Sequence, residues 1–360
     1  MNSLPFAING RFATQPLSGV QRFAGEITRS LATMSWNNYS RPVLLTPEGP
    51  LAEKFPENLD IRSNGRLHGQ AWEQFELPRV AKGRYLLNLG NTAPVFKHDQ
   101  LVVLHDAAVF AQPAGYSWKF RLWYKVLQSL LCRTKTRIVT ISRFSRDELA
   151  RHLSIDPDRI AVIPEGGEHI ARLAPDNSIL ERHNLTGKPF VLAVGNLARH
   201  KNLAGLGALA RKLGEKNIPL VISGGFNPAV FAESAPLPQP ALYVGRVSDE
   251  ELRALYGAAS CFVFPSFYEG FGLPAVEAMA CGCPVVAASI PALEEVCGEA
   301  ALFASPFDQE AISRSVFEIL ENQDVAQKLK EKGLNRAQSF TWDEAARQLV
   351  GIANGESVRR

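Results

Sequence analysis

The chain has 360 residues, a length that favours two domains over one. Its hydrophobic fraction of 46% and charged fraction of 21% are ordinary for a folded protein, which excludes disordered, collagen-like and coiled-coil classes. The net charge of +3 is too small to indicate a nucleic-acid partner.

The N-terminus shows no sign of a targeting segment. Met1-Asn2-Ser3-Leu4-Pro5 has no basic region followed by an apolar one, so we expect no secretory signal. No stretch reaches about 18 consecutive apolar residues, so we expect no membrane-spanning helix. These two features together predict a cytoplasmic protein.

The first half of the chain alternates short apolar runs with helix-like segments. Helices are predicted at 20–34 and 143–153. Several of the runs between them are continuous, as expected for parallel strands that are covered on both faces. The strands predicted in this half are 6–9, 42–46, 85–89, 101–104, 137–141 and 160–163.

Residues 119–137 form a predicted helix that is rich in basic and aromatic side chains. The segment has six basic residues and no acidic one. Such a helix can lie on an anionic membrane surface, where each nearby cation contributes about 1 kcal/mol. It can equally pack an apolar face on a sheet and leave its charges in water. The residues assigned to a membrane or acceptor surface are Lys119, Arg121, Trp123 and Lys125.

The second half repeats the alternation of strands and helices. Helices are predicted at 249–256 and 274–280, and the last 40 residues are expected to be helical without a strand. The strands predicted here are 190–194, 220–223, 242–244, 261–264, 284–287 and 301–303. The repeated pattern predicts an α/β protein of two doubly wound domains, with ligands bound beyond the carboxyl ends of the strands.

The polar, glycine-containing stretch 165–189 is the predicted boundary between the domains. We place an N-terminal domain at 1–175 and a C-terminal domain at 176–340. Residues 341–360 are assigned to a C-terminal helix that crosses back to the first domain.

Several common motifs are absent from the sequence. No P-loop, no early dinucleotide-binding glycine motif and no nucleophile elbow is found, which argues against NTPases, nicotinamide dehydrogenases and α/β-hydrolases. Asp156-Pro157-Asp158 can in principle hold a metal–diphosphate complex, but the proline favours a turn. The odd number of cysteines and the absence of a C-x-x-C pair argue against a disulfide framework or a structural zinc site.

The segment 261–286 is the richest in candidate functional residues. A predicted strand is followed by a loop with Gly270 and Gly272, and Pro274 suits the first turn of the next helix. Glycines allow a ligand to approach the backbone, and the N–H groups at a helix start favour an anion such as a diphosphate. Glu269 and Glu277 can both point at such a ligand, although a pair at this spacing arises easily by chance.

The string EGFGLPAVEAMACGCPVV at 269–286 closely resembles the E-x7-E signature of glycosyltransferase family 4, the retaining transferases of GT-B type. Segments 18–22, 105–106, 140–145 and 245–252 resemble further family segments in the same order. The resemblance implies two Rossmann-like domains that face each other across a cleft, an acceptor-binding domain at 1–175 and a nucleotide-sugar-binding domain at 176–340. It also implies neither a cofactor nor a metal ion.

The resemblance implies roles for individual residues. His105 and Glu269 match the catalytic positions, and Glu277 matches the position that holds the ribose. The other residues expected to bind the donor are Gly19, Arg199, Lys201, Val247, Gly270, Phe271, Gly272 and Leu273. Alternatives remain open: His105 can be a structural histidine, Gly19 a turn glycine, and Arg199 and Lys201 part of a solvated loop. Phe271 is expected to lie against the donor rather than in the core.

One departure from the family pattern concerns the diphosphate. The family usually has an arginine directly after the glycine that follows the first strand of the second domain, and a lysine about five residues later. Here the arginine position holds Asn196, while Lys201 matches the lysine. Arg199 is the candidate to replace the missing charge.

The implied reaction is transfer of a hexose from a nucleoside-diphosphate sugar to a saccharide or lipid-linked saccharide, with retention of configuration. Segments 19–23 and 291–296 resemble bacterial mannosyltransferases of surface-polysaccharide assembly, which favours GDP-mannose as donor. A polyprenyl-diphosphate saccharide as acceptor would agree with a basic helix at the inner face of the cell membrane. A GT-B epimerase, a phosphorylase and a non-catalytic nucleotide-sugar-binding module are the alternatives.

Overall fold

The computed structural model describes residues 4–36, 41–113, 116–225 and 237–356. Residues 1–3, on which part of the targeting prediction rests, and 357–360, the end of the predicted last helix, lie outside these ranges. The described chain forms two units, one from within 1–110, 121–165 and 342–360, the other from 111–120 and 166–341.

The first unit is built on a seven-stranded parallel sheet of order β3-β2-β1-β4-β5-β6-β7. Its strands are β1 Phe6–Asn9, β2 Val43–Thr46, β3 Asp60–Ser63, β4 Tyr85–Asn88, β5 Gln100–Val103, β6 Arg137–Thr140 and β7 Ile160–Val162. The helices between these strands are α1 Gly19–Thr33, α2 Gly69–Ala71, α3 Leu77–Val80, α4 Ala108–Ala111, α5 Trp118–Arg133 and α6 Arg143–Leu153. β1, β2, β4 and β5 are buried along their whole length, because helices cover both faces of the sheet.

The second unit contains a six-stranded parallel sheet of order β10-β9-β8-β11-β12-β13. Its strands are β8 Val191–Val194, β9 Leu220–Ser223, β10 Leu242–Gly245, β11 Cys261–Phe264, β12 Val285–Ala288 and β13 Ala301–Ala304. Its helices are α7 Glu168–Ala171, α8 Ser178–Arg182, α9 Gly207–Glu215, α10 Asp249–Ala258, α11 Leu273–Ala280, α12 Pro291–Cys297, α13 Gln309–Glu321 and α14 Gln323–Ala337. The last helix, α15 Trp342–Asn354, packs against α1 within the first unit.

The α/β fold class and the twelve predicted strands are confirmed, with ends that differ by a residue at most. The sequence did not indicate β3, since all four of its residues are exposed and form no apolar run. The turn interpretation of the Asp156 segment is also confirmed, because its Oδ1 accepts a hydrogen bond from Asp158 N–H at 2.9 Å.

The division between the units falls after Glu165, ten residues before the boundary at 175 that the sequence suggested. The intervening residues contain α7, which packs against α10 and α11 of the second unit. The segment therefore looks like a linker by composition, but its contacts make it part of the second unit.

All five cysteines are free thiols. Cys132, Cys261, Cys283 and Cys297 are buried and Cys281 is half-buried. Burial raises the pKa of Cys132 to about 11 and the pKa of Cys281 and Cys297 to about 12. These thiols serve as small core side chains.

Candidate active site

The loops after β8 and β11 lie side by side at the point where the strand order of the second sheet reverses. β8 and β11 are neighbours, and the sheet continues through β9 on one side and β12 on the other. Ligands of open α/β sheets bind at such a switch point, outside the carboxyl ends of the strands. The sequence-predicted residues Lys201 and Glu269 belong to these two loops.

Lys201 and Glu269 form an ion pair across the switch point. Lys201 Nζ lies 2.7 Å from Glu269 Oε1 and 3.0 Å from Oε2. The lysine stem packs beside Gly195, where an added Cβ would lie 3.6 Å from Lys201 Cδ, and Nζ lies 5.5 Å from the centre of the Phe264 ring. Backbone and aromatic surfaces thus fix the lysine and leave its ammonium group directed at the carboxylate.

The glycine loop leads into α11 with a backbone that requires glycine. Gly272 has φ 102°, and a Cβ there would lie 2.4 Å from Leu293 Cδ2. Leu273 then opens α11, with Pro274 in its first turn and no side chain capping the helix start. The loop therefore presents a helix N-terminus immediately after Gly272, and the positive end of the helix dipole favours an anion.

Asn196 and Arg199 occupy the part of the loop where the family pattern departs. Asn196 Oδ1 accepts a hydrogen bond from Ala198 N–H at 3.2 Å, so the side chain shapes the turn. Arg199 begins the 3-10 turn Arg199–Lys201 and is exposed. Lys201 ends the same turn, so the two cations Arg199 and Lys201 lie on one turn.

His200, between these two cations, was not singled out by the sequence analysis. Its backbone carbonyl accepts a hydrogen bond from Phe267 N–H at 2.8 Å, which ties the β8 loop to the β11 loop. Burial and the charge of Lys201 lower the pKa of His200 to about 4, against an opposing effect of Glu269. The imidazole is therefore neutral near pH 7.

The carboxylate of Glu277 is held differently from that of Glu269. Tyr256 Oη donates to Glu277 Oε2 at 3.1 Å, and His169 Nε2 lies 3.1 Å from Oε1. Glu277 is 7% exposed and lies in α11, one turn beyond the glycine loop. The structure thus gives the two glutamates of the E-x7-E pair separate partners.

The expectation that the Phe271 ring lies outside the core is wrong. The ring is 3% exposed and meets Phe340 edge-on, with 5.5 Å between the ring centres. The positive φ of the following Gly272 turns the chain so that the aromatic side chain points into the unit. Val247, by contrast, is half-buried between β10 and α10.

In the first unit, His105 lies two residues after the end of β5 and is almost fully buried. Its Nε2 lies 2.9 Å from the Leu89 carbonyl oxygen, and its Nδ1 lies 3.5 Å from Glu165 Oε1. The backbone N–H of His105 donates to Asn91 Oδ1 at 2.7 Å, and the Phe23 ring meets the imidazole edge-on. Loops after β4, β5 and β7 thus fix the imidazole.

The switch point of the first sheet holds a buried polar network that the sequence analysis missed. Arg11 Nε lies 2.8 Å from Glu73 Oε2, and Arg11 Nη2 donates to Thr92 Oγ1 at 2.7 Å. The same carboxylate accepts from Asn9 at 2.8 Å and from Thr92 at 2.9 Å. Glu73 stands in a segment without a strong pattern, so nothing in the sequence indicated its burial.

Gly19 is the first residue of α1 and is exposed. A Cβ at Gly19 would have no heavy atom of the described residues within 4 Å, so these residues leave open space in front of this helix start. The preceding Ser18 makes no side-chain capping bond to the helix and instead contacts Gln21.

α5 carries a row of exposed apolar side chains. Trp118, Leu122, Val126 and Leu130 follow one another at intervals of four residues and are 67%, 56%, 48% and 41% exposed. The residues assigned to this surface share the helix: Lys119 and Trp123 are exposed, whereas Arg121 and Lys125 are half-buried. The opposite side of the helix is buried through Leu127, Gln128, Leu131 and Cys132.

Two searches were negative within the ranges that the structure describes. No group of three or more His, Cys, Asp and Glu side chains there is arranged to hold a metal ion. Likewise, none of the described helices is long and apolar enough to cross a bilayer.

Known proteins with similar sequences identify the family. Residues 176–336 match the family described as glycosyl transferases group 1. The O-antigen chain mannosyltransferase B of Escherichia coli is 34% identical over 263 residues, which cover 69% of this chain and 68% of that protein. The chain belongs to the group 1 glycosyl transferases. A second relative, the O-antigen chain mannosyltransferase RfbU of Salmonella typhimurium, is 24% identical over 76% of each chain.

Solved structures of glycosyltransferases share the fold of this chain over nearly its whole length. The sucrose-phosphate synthase of Thermosynechococcus elongatus has a TM-score of 0.71 at 22% identity and covers 98% of both chains. Anabaena HepE in complex with UDP and glucose has a TM-score of 0.72 at 14% identity and covers 98% of this chain and all of that one. The predicted family, the GT-B fold and a hexosyltransferase activity are confirmed, and the non-transferase alternatives are not favoured.

Proposed function

We propose that the transferase moves mannose from GDP-mannose to a saccharide acceptor with retention of configuration, and that the donor binds at the β8–β11 switch point. The Lys201–Glu269 pair carries this proposal, because it places a cation and a carboxylate beside a glycine loop and a helix start. Mannose is favoured because the relatives named above are mannosyltransferases of O-antigen chains.

Each member of the pair retains capacity for a ligand. The ammonium group of Lys201 has three protons, and its two hydrogen bonds both go to the carboxylate of Glu269. The third proton can therefore donate to a diphosphate oxygen. A carboxylate accepts up to about four hydrogen bonds, and Glu269 can therefore also receive hydroxyl groups of the sugar. We assign Lys201 to the diphosphate and Glu269 to orientation of the hexose.

Stabilisation of the departing diphosphate lowers the activation barrier of the transfer. As the glycosidic bond breaks, negative charge grows on the diphosphate oxygens, next to Lys201, the exposed Arg199 and the N–H groups of Gly270–Leu273. Groups that are already in place before the charge develops lower the barrier without reorganisation. We assign the replacement of the family arginine to Arg199, Glu277 to the ribose, and Val247 to the edge of the nucleotide base.

His105 is proposed to contact the sugar at the reacting carbon. In the structure its Nε2 faces the Leu89 carbonyl at 2.9 Å, so contact through this nitrogen requires that hydrogen bond to be exchanged. Gly19 is proposed to allow the donor or acceptor to approach the start of α1, where no side chain stands in the way.

A thermal-shift screen tests the donor assignment. GDP-, UDP-, ADP- and dTDP-sugars are added separately, because a ligand that binds only the folded state raises Tm. GDP-mannose should give the largest rise, and the product of its transfer should keep the α configuration in NMR spectra. A larger rise with another nucleotide would contradict GDP, and an inverted product would contradict retention.

We propose that the exposed row on α5 contacts the anionic inner surface of the cell membrane, near a polyprenyl-linked acceptor. Helices of soluble proteins rarely expose a continuous apolar row, and here the row is accompanied by Lys119, Arg121 and Lys125. Apolar side chains would enter the headgroup region while the basic residues contact lipid phosphates.

Sedimentation with anionic vesicles tests this proposal. Alanine at Lys119, Arg121 and Lys125 should weaken vesicle binding at low salt, and Leu122→Ser with Val126→Ser should weaken it at every salt concentration. The matched control replaces three exposed lysines elsewhere, Lys188, Lys328 and Lys330. Equal loss in the control would leave only a general charge effect, and no loss in any variant would refute the membrane contact.

A further inference from the structure

Two buried side chains from other helices hold the carboxylate of Glu277. Tyr256, in α10, is fully buried and donates its hydroxyl proton to Oε2 at 3.1 Å. His169, in α7, is 8% exposed and places Nε2 3.1 Å from Oε1, close enough for an ionic contact although the two atoms are not aligned as a hydrogen bond. All three residues lie in the second unit, so this cluster is complete within one sheet and its helices.

The chain reaches this arrangement through a close approach of two backbones. α7 packs against α11, and a Cβ on Gly167 would lie 2.6 Å from Val276 Cγ1 and 3.1 Å from the Val276 carbonyl oxygen. Only glycine allows α7 to approach so closely, and the approach brings His169 to Glu277. Gly167 therefore sets the distance between α7 and α11 at the site.

Tyr256 is fully buried and cannot touch a ligand itself, whereas His169 at 8% and Glu277 at 7% are similarly exposed. Burial and the adjacent Glu277 raise the pKa of Tyr256 well above its ordinary value, so the phenol keeps its proton and continues to donate. Tyr256 and His169 contact the Glu277 carboxylate from two sides, so its orientation is fixed.

We propose that Tyr256 and His169 are positioning residues that direct the Glu277 carboxylate at the two hydroxyl groups of the donor ribose. The inference rests on the ribose role proposed for Glu277 and adds the residues through which that role is achieved. A carboxylate that is contacted from two sides keeps one orientation, as recognition of a vicinal diol requires.

Binding of nucleotides with and without ribose hydroxyls tests the inference. GDP and UDP are titrated by calorimetry, each against its 2′,3′-dideoxy analogue, and the tighter of the two is used for the variants. Tyr256→Phe should weaken binding of the ribonucleotide about tenfold, as loss of a hydrogen bond to a charged group does, and leave the dideoxy analogue unaffected. His169→Leu should act in the same way because it removes the close polar contact, and His169→Gln, which keeps a polar side chain, should restore much of the affinity.

Tyr85→Phe is the matched control. Tyr85 is buried in the first unit, and its hydroxyl has no hydrogen-bond partner among the described residues. This variant removes the same atom from a buried tyrosine and should leave both nucleotides unaffected. If Tyr256→Phe weakens the two nucleotides equally, or neither of them, the positioning role is refuted.

Glu277→Gln separates this inference from the proposal beneath it. If this variant keeps the full preference for ribose hydroxyls, the ribose role of Glu277 itself fails. If Glu277→Gln abolishes the preference while Tyr256→Phe and His169→Leu keep it, only the positioning inference fails. Absence of GDP and UDP binding to the wild-type chain would contradict the nucleotide site as a whole.

Discussion

Each sheet has a charged pair at its switch point, but the two carboxylates have different numbers of partners. In the first unit, Glu73 receives hydrogen bonds from Asn9 and Thr92 and pairs with Arg11, and it is fully buried. In the second unit, Glu269 is 9% exposed, and Lys201 is its hydrogen-bonding partner among the described residues. One carboxylate is saturated by its own protein, and the other has capacity left.

The difference indicates how a single topology can serve two purposes. A saturated pair fixes the loops after β1 and β4 and offers nothing to a ligand. An unsaturated pair, set beside glycines and a helix start, keeps its charges close together until a ligand inserts between or beside them. Stability should therefore depend on the first pair and activity on the second.

The largest effect should come from breaking the saturated pair. Glu73→Gln keeps the shape of the side chain but leaves the Arg11 guanidinium buried beside a neutral group, so the free energy of unfolding should fall by about 3–5 kcal/mol. Urea denaturation measures this loss. Lys216→Ala, which breaks an exposed pair with Glu321, should cost less than about 1 kcal/mol. Equal losses would contradict the contrast in burial.

Breaking the unsaturated pair should affect catalysis instead. Glu269→Ala should lower the transfer rate at least about 100-fold, the scale for loss of a group that is placed in advance for the transition state. Initial rates with saturating donor measure it. Glu299→Ala removes an exposed carboxylate that pairs with Lys332, and it should leave the rate unchanged. Near wild-type turnover of the Glu269 variant would refute its assignment.

Acid should destabilise the second unit through His200. Its pKa is about 4 in the folded chain and 6.5 in the unfolded chain, so the unfolded state binds more protons between these values. The stabilising contribution is complete above pH 6.5 and is lost as the pH falls towards 4. Between pH 7.5 and 4.5, His200→Gln should lose about 2 kcal/mol less unfolding free energy than the wild type. Parallel pH profiles would show that His200 is not buried in its neutral form.

The smallest of the four effects concerns the cation of the unsaturated pair. Lys201→Ala should weaken binding of a nucleoside diphosphate about tenfold, because one charge-assisted hydrogen bond to the diphosphate is lost. Calorimetry with GDP and with guanosine separates the phosphate contribution, since guanosine binding should be unaffected. An unchanged Kd for GDP would count against the diphosphate role of Lys201.

The strands could be predicted from the sequence because strands that are buried on both faces consist of consecutive apolar residues. β11, with the residues Cys261–Phe264, is an example of such a run. β3 shows the limit of this signal: it lies at the edge of the sheet and is exposed throughout, so only its pairing with β2 identifies it as a strand. Edge strands held by backbone hydrogen bonds leave little trace in the side chains.

The candidate site was predictable in its residues but not in its pairings. Lys201, Glu269 and Glu277 were indicated by their positions after strands and by the family string, because ligands of parallel sheets bind beyond the carboxyl ends of the strands. That Lys201 meets Glu269, 68 residues later in the chain, depends on the strand order of the sheet. The orientation of Phe271 into the core depends in turn on one positive φ angle, which no residue pattern specifies.

The buried cysteines have a practical consequence for experiments on this transferase. Thiolates, not thiols, react with maleimides, and raised pKa values keep the native thiols protonated at neutral pH. A cysteine introduced on the protein surface would therefore be modified much faster than the five native ones. Pairs of fluorescent or spin labels can therefore be attached to two introduced cysteines while the native cysteines are kept. The rate of conformational exchange during turnover can then be measured directly.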